Sequence, residues 1–188
     1  MDAFSYLSVL ISIVLGLGLT SLLAGFAAMV RCRRRLVMYW PLPAQMSLLF
    51  LVHVQVWWAL FALRQRSHWS FPDFLVVLLQ PVLLYLATAF LIPDLRDDQP
   101  VDLRQAYFRE SRWYFAALLL SIFDSLAKNL VLTWRFQSGT DLLGHAAFIG
   151  LSVAGLVSRN DLVHKTIAPL SIVVYVAYIA LLFVSMPG

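Results

Sequence analysis

Long apolar runs, separated by short polar segments, set the hydrophobic pattern of the chain. Six of these runs approach or exceed about 20 residues, the length that an α-helix needs to cross the hydrocarbon core of a bilayer. The pattern predicts an all-α polytopic membrane protein, a single domain over residues 1–188 with six transmembrane helices. The predicted helices are Phe4–Val30, Ala44–Leu63, Phe71–Ile92, Trp113–Trp134, Asp141–Ser158 and Leu162–Met186.

Polar residues around the third and fourth runs refine this pattern. Ser70, Pro72 and Asp73 precede or open the third run in an order that is typical of a helix start. Between the third and fourth runs, Val101–Tyr114 has amphipathic spacing, which predicts a separate helix on the membrane surface. Leu103, Tyr107 and Phe108 of this segment would face lipid or the bundle, as would Phe115 directly after it.

The composition agrees with a membrane protein. Of the 188 residues, 61% are hydrophobic and 13% are charged, whereas a soluble domain carries about 25% charged residues. Mean hydropathy is +0.81. We therefore expect no second, soluble domain beside the six helices.

Positive charge is concentrated on one predicted side of the membrane. Four arginines follow the first run: Arg31, Arg33, Arg34 and Arg35. Ten of the fourteen lysines and arginines lie in the three segments on this side, and three lie on the other, Arg64, Arg66 and Arg135. Because positive residues are retained in the cytoplasm, we predict a cytoplasmic arginine cluster and both termini outside. The partner that this pattern indicates is the lipid bilayer and not nucleic acid.

Cysteine and histidine usage argues against a bound metal or cofactor. Cys32 is the only cysteine, which excludes an intrachain disulfide and a thiolate cluster. His53 and His145 differ in predicted depth by roughly 9 Å at 1.5 Å rise per residue, so they do not bracket a haem. No cofactor and no metal are predicted.

The fourth run carries two charges near its middle, Asp124 and Lys128. Charged residues at this depth are costly and usually face protein or water. With a spacing of four residues and the acid first, a mutual ion pair is the expected arrangement. Ser121 and Asn129 lie on or beside the same stripe. The stripe either lines a wet path or fixes helix registry, and both interpretations stay open.

Polar residues of three runs fall at one predicted depth: His53, Gln80 and Asp124. A hydrogen-bonded layer of these side chains would form a proton relay, since imidazole titrates near neutral pH. The alternative is that His53 is a satisfied core residue. Gln55 points away from the face of His53, so we expect it to serve helix packing.

Small residues recur at steps of three or four in the first and fifth runs, which allows another helix to approach closely. We predict helix packing or homo-oligomer contacts on these stripes, which include Ser12, Gly16 and Thr20 in the first run and Gly150 and Ala154 in the fifth.

Three stretches carry a resemblance to other proteins. They are the opening FSYLSVLISIVLGLGLTSLLAG, the basic cluster before Tyr39 and Trp40, and HVQVWWALFALR followed by FPDFLVVLLQPVLLYL. The chain resembles, over most of its length, a set of short bacterial inner-membrane proteins of unassigned function. The resemblance implies a location in the bacterial inner membrane and carries over no activity or site residue.

Catalytic motifs are absent from the sequence, so no enzyme is predicted. There is no GxSG-type nucleophile loop, no paired-glutamate metal motif and no phosphate-binding glycine loop. The first hypothesis is a small transport protein, a carrier or channel for protons, cations or a small solute, with the polar layer as its path. The alternative is a non-catalytic subunit or assembly factor that binds another membrane protein. A lipid- or quinone-binding enzyme or cytochrome is a third option.

Overall fold

Six α-helices make up most of the protein. The computed structural model describes residues 3–66, 68–95, 99–133 and 139–182. Each helix is long and apolar enough to cross a membrane, which confirms the six predicted helices as helices. Their bounds are α1 Ala3–Arg31, α2 Pro41–Leu60, α3 Phe71–Leu91, α4 Leu103–Thr133, α5 Gly139–Val157 and α6 Asp161–Leu182.

Most helix ends lie within three residues of the predicted ones. Helix α2 begins at Pro41, because proline suits the first helical position, and a 3₁₀ turn at Phe61–Gln65 extends it. The predicted ends of the fourth and sixth runs, at Trp134 and at Met186, lie outside the described residues, as does Arg135.

The start of α4 differs from the prediction. No separate surface helix occurs at 101–114, because α4 runs unbroken from Leu103 to Thr133. Leu103, Tyr107 and Phe115 are at most 3% exposed, so their apolar side chains pack inside the bundle instead of facing lipid. Burial of this face explains why the helix continues through a stretch rich in charge.

A capping box fixes the start of α3, at the helix start that the sequence predicts. The Ser70 hydroxyl accepts a hydrogen bond from the Asp73 amide at 3.3 Å, and Asp73 Oδ2 accepts one from the Ser70 amide at 3.0 Å. Arg66 Nη2 lies 3.0 Å from the same carboxylate oxygen. The connection between α2 and α3 is thereby tied to the first turn of α3.

The connections that follow α1, α3 and α5 meet at one end of the bundle. There, a two-residue strand β1 (Leu36–Val37) pairs in parallel with β2 (Val101–Asp102). Arg104 at the start of α4 binds Asp161 at the start of α6, with 3.2 Å between Nε and Oδ1. We call this the arginine end, since Arg31 ends α1 here.

The connections that follow α2 and α4 meet at the opposite end. Arg66, after α2, donates from Nη1 to the carbonyl oxygen of Leu132 in the last turn of α4 at 2.7 Å. Because α1 begins and α6 ends on this side, we call it the termini end.

Five of the helices enclose an interior space. Helix α4 packs between α3 and α5, α6 packs between α5 and α2, and α2 also contacts α3. Helix α1 packs on the outside of this ring, against α2 and α3.

The buried face of α1 is not the predicted small-residue stripe. Its inward residues recur at steps of three and four: Ile11, Leu15, Gly18, Leu22, Gly25 and Met29. A Cβ at Gly18 would overlap the His53 imidazole, whereas a Cβ at Gly16 would have no atom within 4 Å. Ser12 is half-buried and Thr20 is exposed.

In α5, too, the predicted small-residue stripe is not the buried face. Gly150 and Ala154 are exposed, and a Cβ at Gly150 would meet nothing within 4 Å. Close approach occurs instead at Gly144 and Gly155, where an added Cβ would overlap Tyr178 and Phe115. Helix packing within one chain therefore uses these glycines, and a role of the stripes between copies stays a prediction.

Candidate functional site

Two adjoining cavities lie between α2, α3, α4, α5 and α6. Their volumes are about 210 Å³ and about 80 Å³, enough for several water molecules at roughly 15 Å³ each in this measure. The side chains that line both are Gln55, Val56, Gln80, Ser125, His145 and Tyr178. We call the two together the chamber, and its parts the wide and the narrow cavity.

The wide cavity reaches the termini end of the bundle. Leu63, Leu132 and Asp141 line it, and all three lie at the ends of their helices on that side. Lys128 and Asn129 also line it. The narrow cavity lies deeper and has a more apolar wall, to which Leu48, Val52, Leu118, Ile122 and Phe148 contribute.

An acid, an imidazole and a hydroxyl form a connected set in the chamber wall. His145 Nδ1 lies 2.9 Å from the Asp141 carbonyl oxygen and 3.2 Å from its Oδ1. Since both neighbours of Nδ1 are acceptors, the neutral ring carries its proton there. In this neutral form, His145 Nε2, 3.2 Å from Ser125 Oγ, accepts a hydrogen bond from the serine hydroxyl.

Tyr178 of α6 binds the Asp141 carboxylate. Its hydroxyl donates to Asp141 Oδ1 at 2.7 Å, and the ring sits against Gly144. A neighbouring tyrosine, Tyr175, donates to Gln55 Oε1 at 3.2 Å. Helix α6 thus orients polar groups of both α5 and α2 toward the chamber.

Lys128 binds across the chamber and not to Asp124. Its Nζ donates to Gln80 Oε1 on α3. No carboxylate oxygen of the described residues lies within 4.0 Å of Nζ, so the expected ion pair with Asp124 is not formed. Asp124 is 6% exposed, its Oδ2 has no hydrogen-bond partner among the described residues, and it lines neither cavity. The lysine reaches a polar acceptor in a cavity that the shorter acid does not line.

The predicted relay between His53 and Asp124 is also not formed. His53 Nδ1 lies 2.8 Å from the Leu49 carbonyl oxygen of its own helix, and Nε2 has no hydrogen-bond partner within the described part of the chain. The ring packs on Gly18 of α1, outside the ring of five helices. Gln55, two residues later and on the opposite face, is the α2 residue that lines the chamber.

The predicted path residues therefore divide into two groups. Gln80, Ser121, Lys128 and Asn129 line the chamber, and His53 and Asp124 do not. Ser121 donates to the Leu118 carbonyl oxygen at 3.0 Å. The lining residues that the sequence interpretation missed include Gln55, Asp141, His145, Tyr175 and Tyr178. The spacing of four between Asp141 and His145 was a usable signal, because it places both side chains on one helix face.

Aromatic side chains pack between the chamber and the arginine end. The Phe115 ring fills the space left by Gly155, one turn beyond the narrow cavity. The Tyr114 hydroxyl donates to Gln45 Oε1 at 2.9 Å in the same layer. Five rings pack together here, and we call them the aromatic plug: Tyr107, Phe108, Tyr114, Phe115 and His164.

Hydrogen bonds and the α1–α2 connection support the plug. Tyr107 Oη lies 2.9 Å from His164 Nδ1, and His164 Nε2 lies 2.9 Å from the Ser158 carbonyl oxygen. Tyr39, in the connection, lies 5.4 Å from Tyr107 between ring centroids. Burial and then the Asp161 carboxylate raise the pKa of Tyr39, so the phenol is neutral at physiological pH.

Comparisons with known proteins add no family. No protein-family profile matches the chain, and no curated protein and no solved structure matches it. Across the described ranges, no three histidine, cysteine or acidic side chains come together as metal ligands would. The chemistry of the chamber therefore rests on its own residues.

Proposed function

We propose that the protein is a multi-pass protein of the bacterial inner membrane, with the arginine end in the cytoplasm and both termini outside. Six helices of membrane-spanning length support insertion. Arg31, Arg33, Arg34 and Arg35 support the orientation, because cytoplasmic segments retain positive charge. The resemblance to short bacterial inner-membrane proteins supports the location.

We infer that the protein is a small carrier for a polar solute and that the chamber is the outer half of its path. One observation carries this inference: a chamber with charged and amide side chains lies among apolar helices and reaches the termini end, and the aromatic plug packs between it and the arginine end. Ionisable groups at membrane depth typically mark substrate and ion pathways. Access from one side only is what a carrier shows in one of its two alternating states.

Coupling to protons follows from the side chains that the chamber contains. His145 lies between Asp141 and Ser125, and imidazole is the side chain that gains or loses a proton near neutral pH. Protonated His145 would pair with the Asp141 carboxylate. Its Nε2 would then carry a proton and could no longer accept a hydrogen bond from the Ser125 hydroxyl. A proton taken up from outside would thereby change the polarity of the wall that faces the solute.

A flux assay tests the proposal. Purified protein in liposomes should move protons, cations or a small solute down an imposed gradient, and His145→Gln should abolish the proton-dependent part of this flux. His68→Gln is the matched control, since His68 is exposed in the α2–α3 connection and should leave the flux unchanged. Flux no faster than in empty liposomes, across a broad panel of solutes, would contradict the proposal.

An acyl-transfer enzyme is a second candidate, favoured by one observation. Asp141, His145 and Ser125 have the hydrogen-bond order of a serine hydrolase triad, with the acid on Nδ1 and the hydroxyl on Nε2. Ser125 Oγ would add to an ester carbonyl carbon while its proton moves to His145 Nε2. The departing alcohol would take that proton, and water would hydrolyse the acyl group left on Ser125.

Covalent labelling separates the two candidates. An alkyl fluorophosphonate probe should label the enzyme at Ser125, and Ser125→Ala should lose the label while Ser121→Ala keeps it. Ser121 is the matched control because it lines the same chamber one turn away but its hydroxyl donates to its own helix. Absence of labelling above the Ser125→Ala background would rule out the enzyme and leave the carrier.

A further inference from the structure

Lys128 lies in the wall of the wide cavity, where its ammonium group forms no ion pair with a carboxylate of the described residues. An ammonium group has three N–H donors, and the single partner of Nζ among the described residues is Gln80 Oε1. No carboxylate oxygen of the described residues lies within 4.0 Å. A cation that is removed from water is stabilised by an anion with which it can pair. The N–H donors of Nζ that have no partner among the described residues therefore favour an anionic ligand in the wide cavity.

The other polar groups nearby suit a carboxylate. The amides of Gln55, Gln80 and Asn129 line the wide cavity together with Lys128, and amide N–H groups donate to carboxylate oxygens. The acid in the wall, Asp141, accepts hydrogen bonds from Tyr178 and contacts His145. Its negative charge is thus held on the α5–α6 side of the cavity, while Lys128 projects from α4.

The narrow cavity continues from this polar region with a largely apolar wall. Leu118, Ile122 and Phe148 contribute to it. Its volume is about 80 Å³, roughly half that of a cavity that holds benzene, so it accommodates an alkyl chain of a few carbons. A ligand that spans both cavities needs a charged head and a short apolar tail.

We propose that the chamber binds a short-chain monocarboxylate, with its carboxylate on Lys128 and its alkyl chain in the narrow cavity. This inference rests on the proposed carrier function, for which it names the solute class. Uptake of the anion together with a proton on the His145 set would carry no net charge across the membrane. The aromatic plug would hold the alkyl chain until the opposite side opens.

Ligand binding to the detergent-solubilised protein tests the head-group assignment. Butyrate should bind saturably by calorimetry, and butanol, butylammonium, chloride and inorganic phosphate should not. Lys128→Gln should weaken butyrate binding by roughly tenfold to a hundredfold, the loss expected for a charge-assisted hydrogen bond. Lys128→Arg should keep most of the affinity, since the charge remains.

The chain contains a matched control for this substitution. Lys165 is the second lysine; it is half-exposed at the arginine end and lies 2.6 Å from Asp161. Lys165→Gln should bind butyrate like the wild type. Equal losses in the two glutamine variants, or equal binding of chloride and butyrate, would overturn the proposal.

A substitution in the wall of the narrow cavity tests the proposal even if Lys128→Gln fails to fold. Leu118→Phe would reduce the volume of the narrow cavity and should shift the preference from butyrate toward acetate. Unchanged preference would overturn the placement of the alkyl chain. Butyrate binding without any flux would contradict the carrier function alone, and flux of another solute without butyrate binding would contradict the monocarboxylate alone.

Discussion

Two glycines of α1, two residues apart, show how single positions determine the packing. Gly18 faces α2, where the His53 ring occupies the place of a Cβ, and Gly16 faces open space. His53 is fully buried, and its ring is held by the Leu49 carbonyl oxygen. It has little freedom to make room for a larger residue at position 18.

Substitution of Gly18 by alanine should therefore destabilise the protein. We expect Gly18→Ala to lower the free energy of unfolding by about 1–3 kcal/mol, as overpacking does. Gly16→Ala should leave it unchanged or raise it by up to roughly 1 kcal/mol, because alanine favours the helix. Unfolding of the purified protein in detergent measures both, and equal destabilisation by the two variants would contradict the contact with His53.

Two polar residues of α2 show that hydropathy alone does not reveal which side of a helix faces the chamber. His53 and Gln55 are both polar residues in the middle of an apolar helix, and their spacing shows that they lie on opposite faces. Which face turns inward depends on the neighbours of the helix, and those are contacts that a single sequence does not contain. The prediction chose His53 for the path, and the chamber is lined by Gln55.

At the scale of elements, helix starts were predictable where a local motif defines them. The predicted start of α3 at Ser70 was confirmed, and the structure adds a capping box between Ser70 and Asp73, three residues apart. The start of α4 was not, because its first turns carry many charges on one face and Leu103 and Tyr107 on another. Only their burial against other helices shows that these turns belong to the long helix.

Loss of the cap should weaken α3 measurably. Ser70→Ala removes the hydroxyl that accepts from the Asp73 amide and should lower the free energy of unfolding by about 1 kcal/mol. Ser47→Ala is the control, because the exposed Ser47 hydroxyl bonds only the Pro43 carbonyl oxygen of its own helix. Thermal unfolding that ranks the control as the weaker protein would contradict this account of the α3 start.

At the scale of the whole molecule, the number of helices followed from the apolar runs, and their arrangement did not. Helix α1 lies outside a ring of α2 to α6, although nothing in its hydrophobicity separates it from the others. Four of six predicted path residues line the chamber because α3 and α4 are neighbours. The contribution of α5 and α6, with Asp141, His145 and Tyr178, required their packing across the ring.

Orientation in the membrane is testable with the native cysteine. Cys32 lies at the arginine end, partly exposed, next to Arg33, Arg34 and Arg35. A membrane-impermeant maleimide should label it in inside-out vesicles and leave it unlabelled in intact spheroplasts, because the proposed topology places the arginine end in the cytoplasm. Cys32→Ser shows the background. Labelling confined to spheroplasts would reverse the proposed topology.

The proposed carrier function requires that water enter the chamber from the termini end, and a pair of cysteine variants measures this access. In a Cys32→Ser background, Ser125→Cys places a thiol in the chamber wall, and Ala127→Cys places one on the exposed surface of α4, two residues away. We predict that a small, charged, membrane-impermeant thiosulfonate applied from outside modifies Ser125→Cys and spares the lipid-facing Ala127→Cys. Equal reactivity of the two thiols, or modification of Ser125→Cys from the cytoplasmic side alone, would contradict a chamber that opens outward.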